Sequence, residues 1–310
     1  MRAITAGAAG ATPRLGDVPR PDPGPDQILV EIHAAGYNPF DLKVASGAAD
    51  VGAKFPLILG IDGAGVVVAR GDEVTSFRVG ERVFGQFAHY ADGLGSYGEY
   101  GVVAEFGNVT RMPDSMSFAT GAALPVASVT ALDLVAAADP DPDQLVLING
   151  ATGGVGQSAT QLATLEGASV IATVTEDTRK LLTELGASET VDYTLGPVVD
   201  AVRERHPHGV DIVIDTVGDP SLADLVRPGG IILTTTYSLD VDALAARKIR
   251  AVNLSSENNQ GKLEDIARLV DSGKLRVVIE REVPLAEAPA ALATITQQAA
   301  HGKTVFTVTP

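Results

Sequence analysis

Apolar and polar residues alternate along the first third of the chain. Between 27 and 34, Ile28, Val30 and Ile32 interleave with Gln27, Leu29, Glu31 and His33, polar except for Leu29, the period of two that marks a strand with one buried and one wet face. A turn-rich stretch, Pro19-Arg20-Pro21-Asp22-Pro23-Gly24-Pro25, precedes it, and strand-like runs at 65–69, 81–84 and 97–104 are separated by glycine and charged turns. The middle of the chain follows another rule. Runs at 145–148, 170–174, 212–214 and 231–233 are apolar apart from Thr173, as expected of parallel strands covered on both faces. Between them Val155, Ala159, Leu162 and Leu165 recur at helical spacing, and Leu181, Leu182 and Leu185 lead to Gly186 as a helix stop. Strands alternating with helices imply βαβ units and a doubly wound parallel sheet. A helix over 262–273, a strand over 277–283, a helix over 285–299 and a strand over 304–308 complete the prediction. The expected organisation is a β-rich domain made of 1–117 and 276–310, with a dinucleotide-type α/β domain at 118–275 between them.

Composition narrows the function. The 310 residues are 45% apolar and 20% charged, the balance of a chain folded throughout, with enough length for two cores. A formal charge of −16 argues against nucleic acid and anionic membranes, both of which select a basic face. Cysteine is absent, which excludes disulfides, thiolate nucleophiles and cysteine-ligated zinc. The opening Met1-Arg2-Ala3-Ile4-Thr5-Ala6-Gly7 lacks the apolar core of a secretory signal, and no apolar stretch reaches the ~18 residues of a membrane span. A cytoplasmic location is the expectation.

One motif carries chemistry by its context. Leu147-Ile148-Asn149-Gly150-Ala151-Thr152-Gly153-Gly154-Val155-Gly156 joins a buried strand, a glycine turn and a helix start, the setting in which a glycine motif binds a dinucleotide. Small residues admit the pyrophosphate to the backbone, and the free N–H groups and dipole of the helix start receive its charge. Ala151 takes the place of the first glycine, so the motif is a variant. The second strand of such a unit ends in Thr173-Val174-Thr175, without the carboxylate that would bond an unphosphorylated ribose. The hydroxyls of Thr173 and Thr175 would accept a 2′-phosphate, and Arg179 and Lys180 follow, one of them suited to it. This favours NADPH, against which Glu176 and Asp177 stand in the same loop.

The run Ala34-Ala35-Gly36-Tyr37-Asn38-Pro39-Phe40-Asp41-Leu42-Lys43 resembles the catalytic domain of the medium-chain dehydrogenase/reductases. Phe55-Pro56-Leu57-Ile58-Leu59-Gly60-Ile61-Asp62-Gly63-Ala64-Gly65-Val66-Val67, Gly80-Glu81-Arg82-Val83-Phe84-Gly85 and His301-Gly302-Lys303-Thr304-Val305 fit the same superfamily in the same order. The resemblance implies a Rossmann domain and a GroES-like β-rich catalytic domain built from both ends of the chain. Zinc-dependent members carry a cysteine near Asn38 and a histidine where Ile61 stands; asparagine in Tyr37-Asn38-Pro39 resembles the zinc-free quinone oxidoreductase branch. It implies that Asn38 lines the nicotinamide and substrate cleft, that Thr130 lies near the nicotinamide, and that Tyr193 and Arg179 lie beside the adenosine phosphate. Val217 and the run Thr235-Thr236-Tyr237 join the cofactor set, the latter because ligands bind where open α/β strands end. Relatives often carry arginine where Ala45 stands, which puts substrate anchoring in that loop in doubt.

The chemistry that follows is hydride transfer from NADPH to an electrophilic acceptor, a quinone or the β-carbon of an α,β-unsaturated carbonyl. Asn38 orients cofactor or substrate, and Tyr37 or Tyr237, or water, supplies a proton. No metal is expected; His206-Pro207-His208 reads as a polar loop, and His33 and His89 lack ligand spacing. Asp41 reads as a cap on the turn that follows it. Two alternatives stay open: a pathway-specific enoyl or alkenal reductase of secondary metabolism, and a non-catalytic NADPH-binding sensor or scaffold. Relatives suggest a homodimer.

Overall fold

The computed structural model describes residues 1–257, 259–295 and 300–308. The helix expected at 285–299 lies partly outside these; its described part is a short turn, Leu285–Glu287, followed by the helix Ala288–Thr294. Two compact units form. The first comprises Met1–Ala127, Asn258–Ser272 and Ile279–Pro310, and the second Ser128–Glu257 and Gly273–Val278.

The alternating segments of the first unit form a seven-stranded sheet. Its spatial order is Ile279–Pro284, Lys303–Thr307, Gln27–Gly36, Asp62–Arg70, Arg82–Gln86 and Val109–Arg111, with Tyr100–Ala104 also paired to Gln27–Gly36. Arg14–Asp17, Arg2–Ala6 and Leu57–Ile58 make a smaller antiparallel sheet. Ile28, Val30, Ile32, Val67, Val83, Phe87, Tyr97 and Phe306 fill the core, so the period of two reports the buried face. The strand Lys303–Thr307 lies antiparallel to Gln27–Gly36 with Val305 opposite Gly36, and that register brings Lys303 to the start of the Tyr37-Asn38 segment.

Residues 118–127 and 259–272 fall in the β-rich unit and 276–278 in the α/β unit, whereas the sequence expectation groups the first two segments with the α/β domain and the third with the β-rich one. The physical reason is packing: the helix Phe118–Ala123 lies on Gln27–Gly36 and Asp62–Arg70, and Gln260–Asp271 lies on Val109–Arg111. Gly36 makes the first contact possible, since a Cβ there would sit 2.0 Å from the Ala122 carbonyl oxygen.

The second unit is a six-stranded parallel sheet in the order Glu189–Asp192, Ser169–Val174, Leu145–Asn149, Val210–Asp215, Val226–Thr234 and Arg250–Asn253. The order reverses beside Leu145–Asn149, the switch point at which such sheets receive ligands. The four apolar runs became its four inner strands. The outer two, Glu-Thr-Val-Asp and Arg-Ala-Val-Asn, are short and mixed because an edge strand has less of its surface covered. Among the described residues no helix is long and apolar enough to cross a membrane.

Candidate functional site

In the second unit the chain leaves Asn149 through Gly150 at φ +77° and enters the helix Gly154–Leu165 with Gly153 as its N-cap residue. Only glycine fits two points of this turn. A Cβ on Gly150 would lie 2.2 Å from Thr216 Oγ1, and one on Gly156 would lie 2.3 Å from the Gly150 oxygen and 2.6 Å from Ala151 Cα. Gly153 donates its N–H to the Gly150 carbonyl at 3.1 Å, and Gln157 Nε2 donates to the Thr152 carbonyl at 2.7 Å. The result is a tight loop with a helix N-terminus and little side-chain bulk, which fits the diphosphate of a dinucleotide.

The loop after Val210–Asp215 is organised by one carboxylate. Buried Asp215 accepts N–H bonds from Val217 at 3.0 Å, Gly218 at 3.0 and 3.1 Å and Asp219 at 2.7 Å, and the Asn149 side chain donates to it at 2.9 Å. This fixes the Val217 loop to the end of the strand Leu145–Asn149. After the fifth strand, hydroxyls of Thr234, Thr236 and Ser238 join in a chain with 2.9 Å links. Tyr237 is exposed at φ +58°, a left-handed conformation uncommon outside glycine. The predicted residues Ala151, Thr152, Gly153, Gly154, Val155, Gly156, Thr175, Tyr193, Val217, Thr235, Thr236 and Tyr237 therefore all follow carboxyl ends of strands of one sheet. Thr130 lies part-way along the helix Pro125–Ala138 and is half-buried.

Two of the predicted cofactor residues have other engagements. Thr173 is buried, with its hydroxyl accepting the Gly150 N–H at 2.9 Å, so it braces the glycine turn. Arg179 is held by acceptors: Glu176 at 3.0 and 3.1 Å, the Thr190 hydroxyl at 2.8 Å and Asp192 at 3.9 Å. Lys180 lies 3.9 Å from Glu184 on an exposed helix face. The objection raised by Glu176 in the sequence is thus a contact in the structure.

In the first unit, Asn38 N-caps the helix Pro39–Ser46, and its backbone N–H is accepted by Asp41 at 2.8 Å. Its side chain also bonds two residues distant in sequence. Nδ2 donates to Asp62 at 2.9 Å and Oδ1 accepts from Lys303 Nζ at 2.7 Å. Lys303 also donates to the Tyr37 carbonyl at 2.6 Å, and Asp62 accepts the Val126 N–H at 3.1 Å. Asp41 takes a bond from the Tyr97 hydroxyl at 2.7 Å while its second oxygen is buried without a partner.

Burial dominates the electrostatics of this cluster. It pushes the Asp41 carboxyl up to about 7, opposed by the bonds from Tyr97 and Asn38, and that of Asp62 up to about 6, opposed first by the Lys303 charge. It pulls Lys303 below the usual lysine value, and the two carboxylates oppose that pull. The Tyr37 hydroxyl is raised to about 12 by burial and by Asp41. It therefore stays protonated near neutral pH. Sequence reasoning found Asn38 and Tyr37 as site residues and read Asp41 only as a cap; it found neither Asp62 nor Lys303, and nothing local in Lys-Thr-Val-Phe-Thr marks the lysine as a member of the site.

Among the described residues no cluster of three or more histidine, cysteine, aspartate or glutamate side chains could hold a metal ion. His206 instead lies 3.1 Å from Glu189.

Comparison with known proteins matches residues 24–114 to the alcohol dehydrogenase GroES-like domain and residues 185–306 to the zinc-binding dehydrogenase family. The chain is 31% identical to the mitochondrial NAD(P)H oxidoreductase RTN4IP1 of Mus musculus, over 92% of this chain and 82% of the mouse protein. It is 31% identical to the quinone oxidoreductase of Sus scrofa, over 88% of this chain and 86% of the porcine one. Among solved structures, the quinone oxidoreductase from Coxiella burnetii superimposes with a TM-score of 0.91 at 30% identity, covering 100% of this chain and 99% of the other.

Proposed function

Because the chain belongs to the medium-chain dehydrogenase/reductase superfamily, with quinone oxidoreductases among its relatives, we propose that it is a zinc-independent reductase. It passes hydride from NADPH to a quinone or to the β-carbon of an α,β-unsaturated carbonyl.

The observation that carries this reading is the donor set around Asn38. By resemblance, Asn38 and Ile61 stand where zinc-dependent members carry cysteine and histidine. The chain has no cysteine, and both ends of the Asn38 amide are already bonded to Lys303 and Asp62. A neutral amide and an isoleucine do not fit the thiolate and imidazole that zinc selects. Without a Lewis acid to polarise an alcohol or ketone, an acceptor that is already electron-poor is the better substrate.

The cofactor fits the second unit. Gly150 to Gly156 would hold the diphosphate at the helix start, Val217, Thr235, Thr236 and Tyr237 would flank the nicotinamide half, and Tyr193 with Arg179 the adenosine half. When bound, the dihydronicotinamide supplies the hydride. Arg179 would meet the 2′-phosphate by releasing Glu176. In the first unit, the Asn38 amide donates a hydrogen bond to the acceptor carbonyl oxygen, and Tyr37, held protonated, is a candidate donor beside bulk water.

Oxidation of NADPH by a panel of quinones, enones and simple alcohols, before and after exhaustive chelation, tests the proposal. Turnover with quinones or enones that survives chelation is expected. Activity abolished by chelation and restored by zinc, or no turnover with any acceptor despite tight NADPH binding, would refute it; the latter result points to a sensor or scaffold.

A further inference from the structure

The Asn38 side chain is gripped from both ends by groups of opposite character. Lys303 has only hydrogens to give and lies 2.7 Å from Oδ1, whereas ionised Asp62 has only lone pairs and lies 2.9 Å from Nδ2. The two ends of an amide are nearly equal in shape, so this pairing decides which is which. The three side chains are buried, with relative exposures of 4% for Asn38, 0% for Asp62 and 5% for Lys303. Lys303 is itself fixed by the Tyr37 carbonyl at 2.6 Å and lies 4.0 Å from Asp62, which the Val126 N–H anchors.

The Nδ2 atom has two hydrogens, and Asp62 is its single acceptor among the described residues. One N–H is left over. A cation on the carbonyl side of an amide draws electron density towards oxygen, which makes the opposite N–H a stronger donor, and low local polarity sharpens the effect.

We propose that Lys303 is a positioning residue that acts through the Asn38 amide, strengthening the hydrogen bond its free N–H donates to the carbonyl oxygen of the hydride acceptor. The inference rests on the reading that an electron-poor carbonyl compound is reduced here. For an enone, the hydride pair forms a C–H bond at the β-carbon, the C=C pair shifts to the adjacent bond, and the carbonyl π pair ends on oxygen. That enolate oxygen is where the polarised N–H bond gains strength, before the enolate takes a proton from Tyr37 or water. Lys303 keeps its own proton throughout. Its charge does at one remove what a metal does by direct coordination.

The test is a series of quinones and enones of graded reduction potential, assayed with the wild-type protein, Lys303→Gln and Lys303→Arg. Glutamine retains a donor without the charge, and arginine retains the charge. The loss in kcat/KM for Lys303→Gln is expected to grow as the acceptor weakens, from about threefold on the strongest quinone to about 30-fold on the weakest enone, below the 10²–10³ of removing a direct donor. The cofactor dissociation constant should not move, and Lys303→Arg should restore most of the loss. Equal loss across the series, or no recovery with arginine, would overturn the role of the charge. Should Lys303→Gln fail to fold, Asn38→Ala provides the second measurement: the same growing loss supports the proposal, and a uniform loss overturns it. A wild-type protein inert towards every acceptor would overturn the underlying reading and this inference with it.

Discussion

Replacing Asp41 by asparagine exchanges a buried carboxyl for a neutral group of the same shape. One oxygen of Asp41 accepts the Asn38 N–H at 2.8 Å and the Tyr97 hydroxyl at 2.7 Å, and an asparagine oxygen can accept both. The difference lies in the proton. Burial holds the Asp41 carboxyl at about 7 in the folded chain against an ordinary 3.8. Between those values the native state keeps a proton that the unfolded state releases, so this group's contribution is fully present below the ordinary value and is lost as pH rises through the folded one. At roughly 1.4 kcal/mol per tenfold change, the whole window corresponds to about 4 kcal/mol, and the part between pH 5 and pH 8 to roughly 2–3 kcal/mol. Asparagine has nothing to release. It does place two amide hydrogens where Asp41 has a partnerless oxygen, at a pH-independent cost of about 1–3 kcal/mol. Urea unfolding of both proteins at pH 5, 6, 7 and 8 reads the result directly. The stability difference should move by roughly 2–3 kcal/mol in favour of Asp41→Asn from the lowest pH to the highest. A difference that stays constant, or moves the other way, would show that the buried carboxyl is ionised throughout and that this account of the cluster is wrong.

Three further outcomes follow from the second unit. Glu176→Gln frees Arg179 from one of its two carboxylates; as side-chain exposures of 38% and 79% make this a surface pair, worth about 0–1 kcal/mol, KM for NADPH should fall about two- to fivefold while KM for NADH stays unchanged. Equal changes for the two cofactors would remove Arg179 from the 2′-phosphate site. Gly156→Ala drives a Cβ to 2.3 Å from the Gly150 oxygen, so a loss of about 1–3 kcal/mol in stability together with weakened cofactor binding is expected by thermal unfolding and fluorescence titration; unchanged binding would place the diphosphate elsewhere. Asp215→Ala strips the acceptor from the N–H groups of Val217, Gly218 and Asp219, and hydrogen exchange should accelerate at those three positions while Leu147 and Ile148 remain protected.

How much of this was legible depended on how local the determinants are. Val170 to Val174 and Ile212 to Ile214 announce themselves because a strand covered on both faces is apolar at nearly every position, Thr173 being the exception because its hydroxyl is bonded to Gly150. Arg250–Asn253 was missed because it forms the edge of its sheet. Gly150 and Gly156 were readable because strand, turn and helix adjoin in sequence. The tie between Arg179 and Glu176 was half-visible, since residues three apart on a helix are neighbours. Lys303 was invisible as a site residue, because its link to Asn38 spans 265 positions and nothing in Gly302-Lys303-Thr304 names the partner. The family resemblance supplied Asn38, but only the register of Lys303–Thr307 beside Gln27–Gly36 reveals what holds its amide.

That long span bears on how the protein is made. Asp41 and Asp62 leave the ribosome early, whereas Lys303 follows only after the whole Ser128–Glu257 segment of the second unit. At about 5–20 residues per second, roughly 15–50 s separate Asn38 from Lys303 during translation. A nascent chain in that interval has Asp62 without the lysine that offsets the cost of burying its charge, so burying that carboxylate is disfavoured until Lys303 arrives. Assembly of the Asn38 cluster is thereby tied to synthesis of the strand Lys303–Thr307, and a chain stopped before that strand lacks the cation that holds the Asn38 amide.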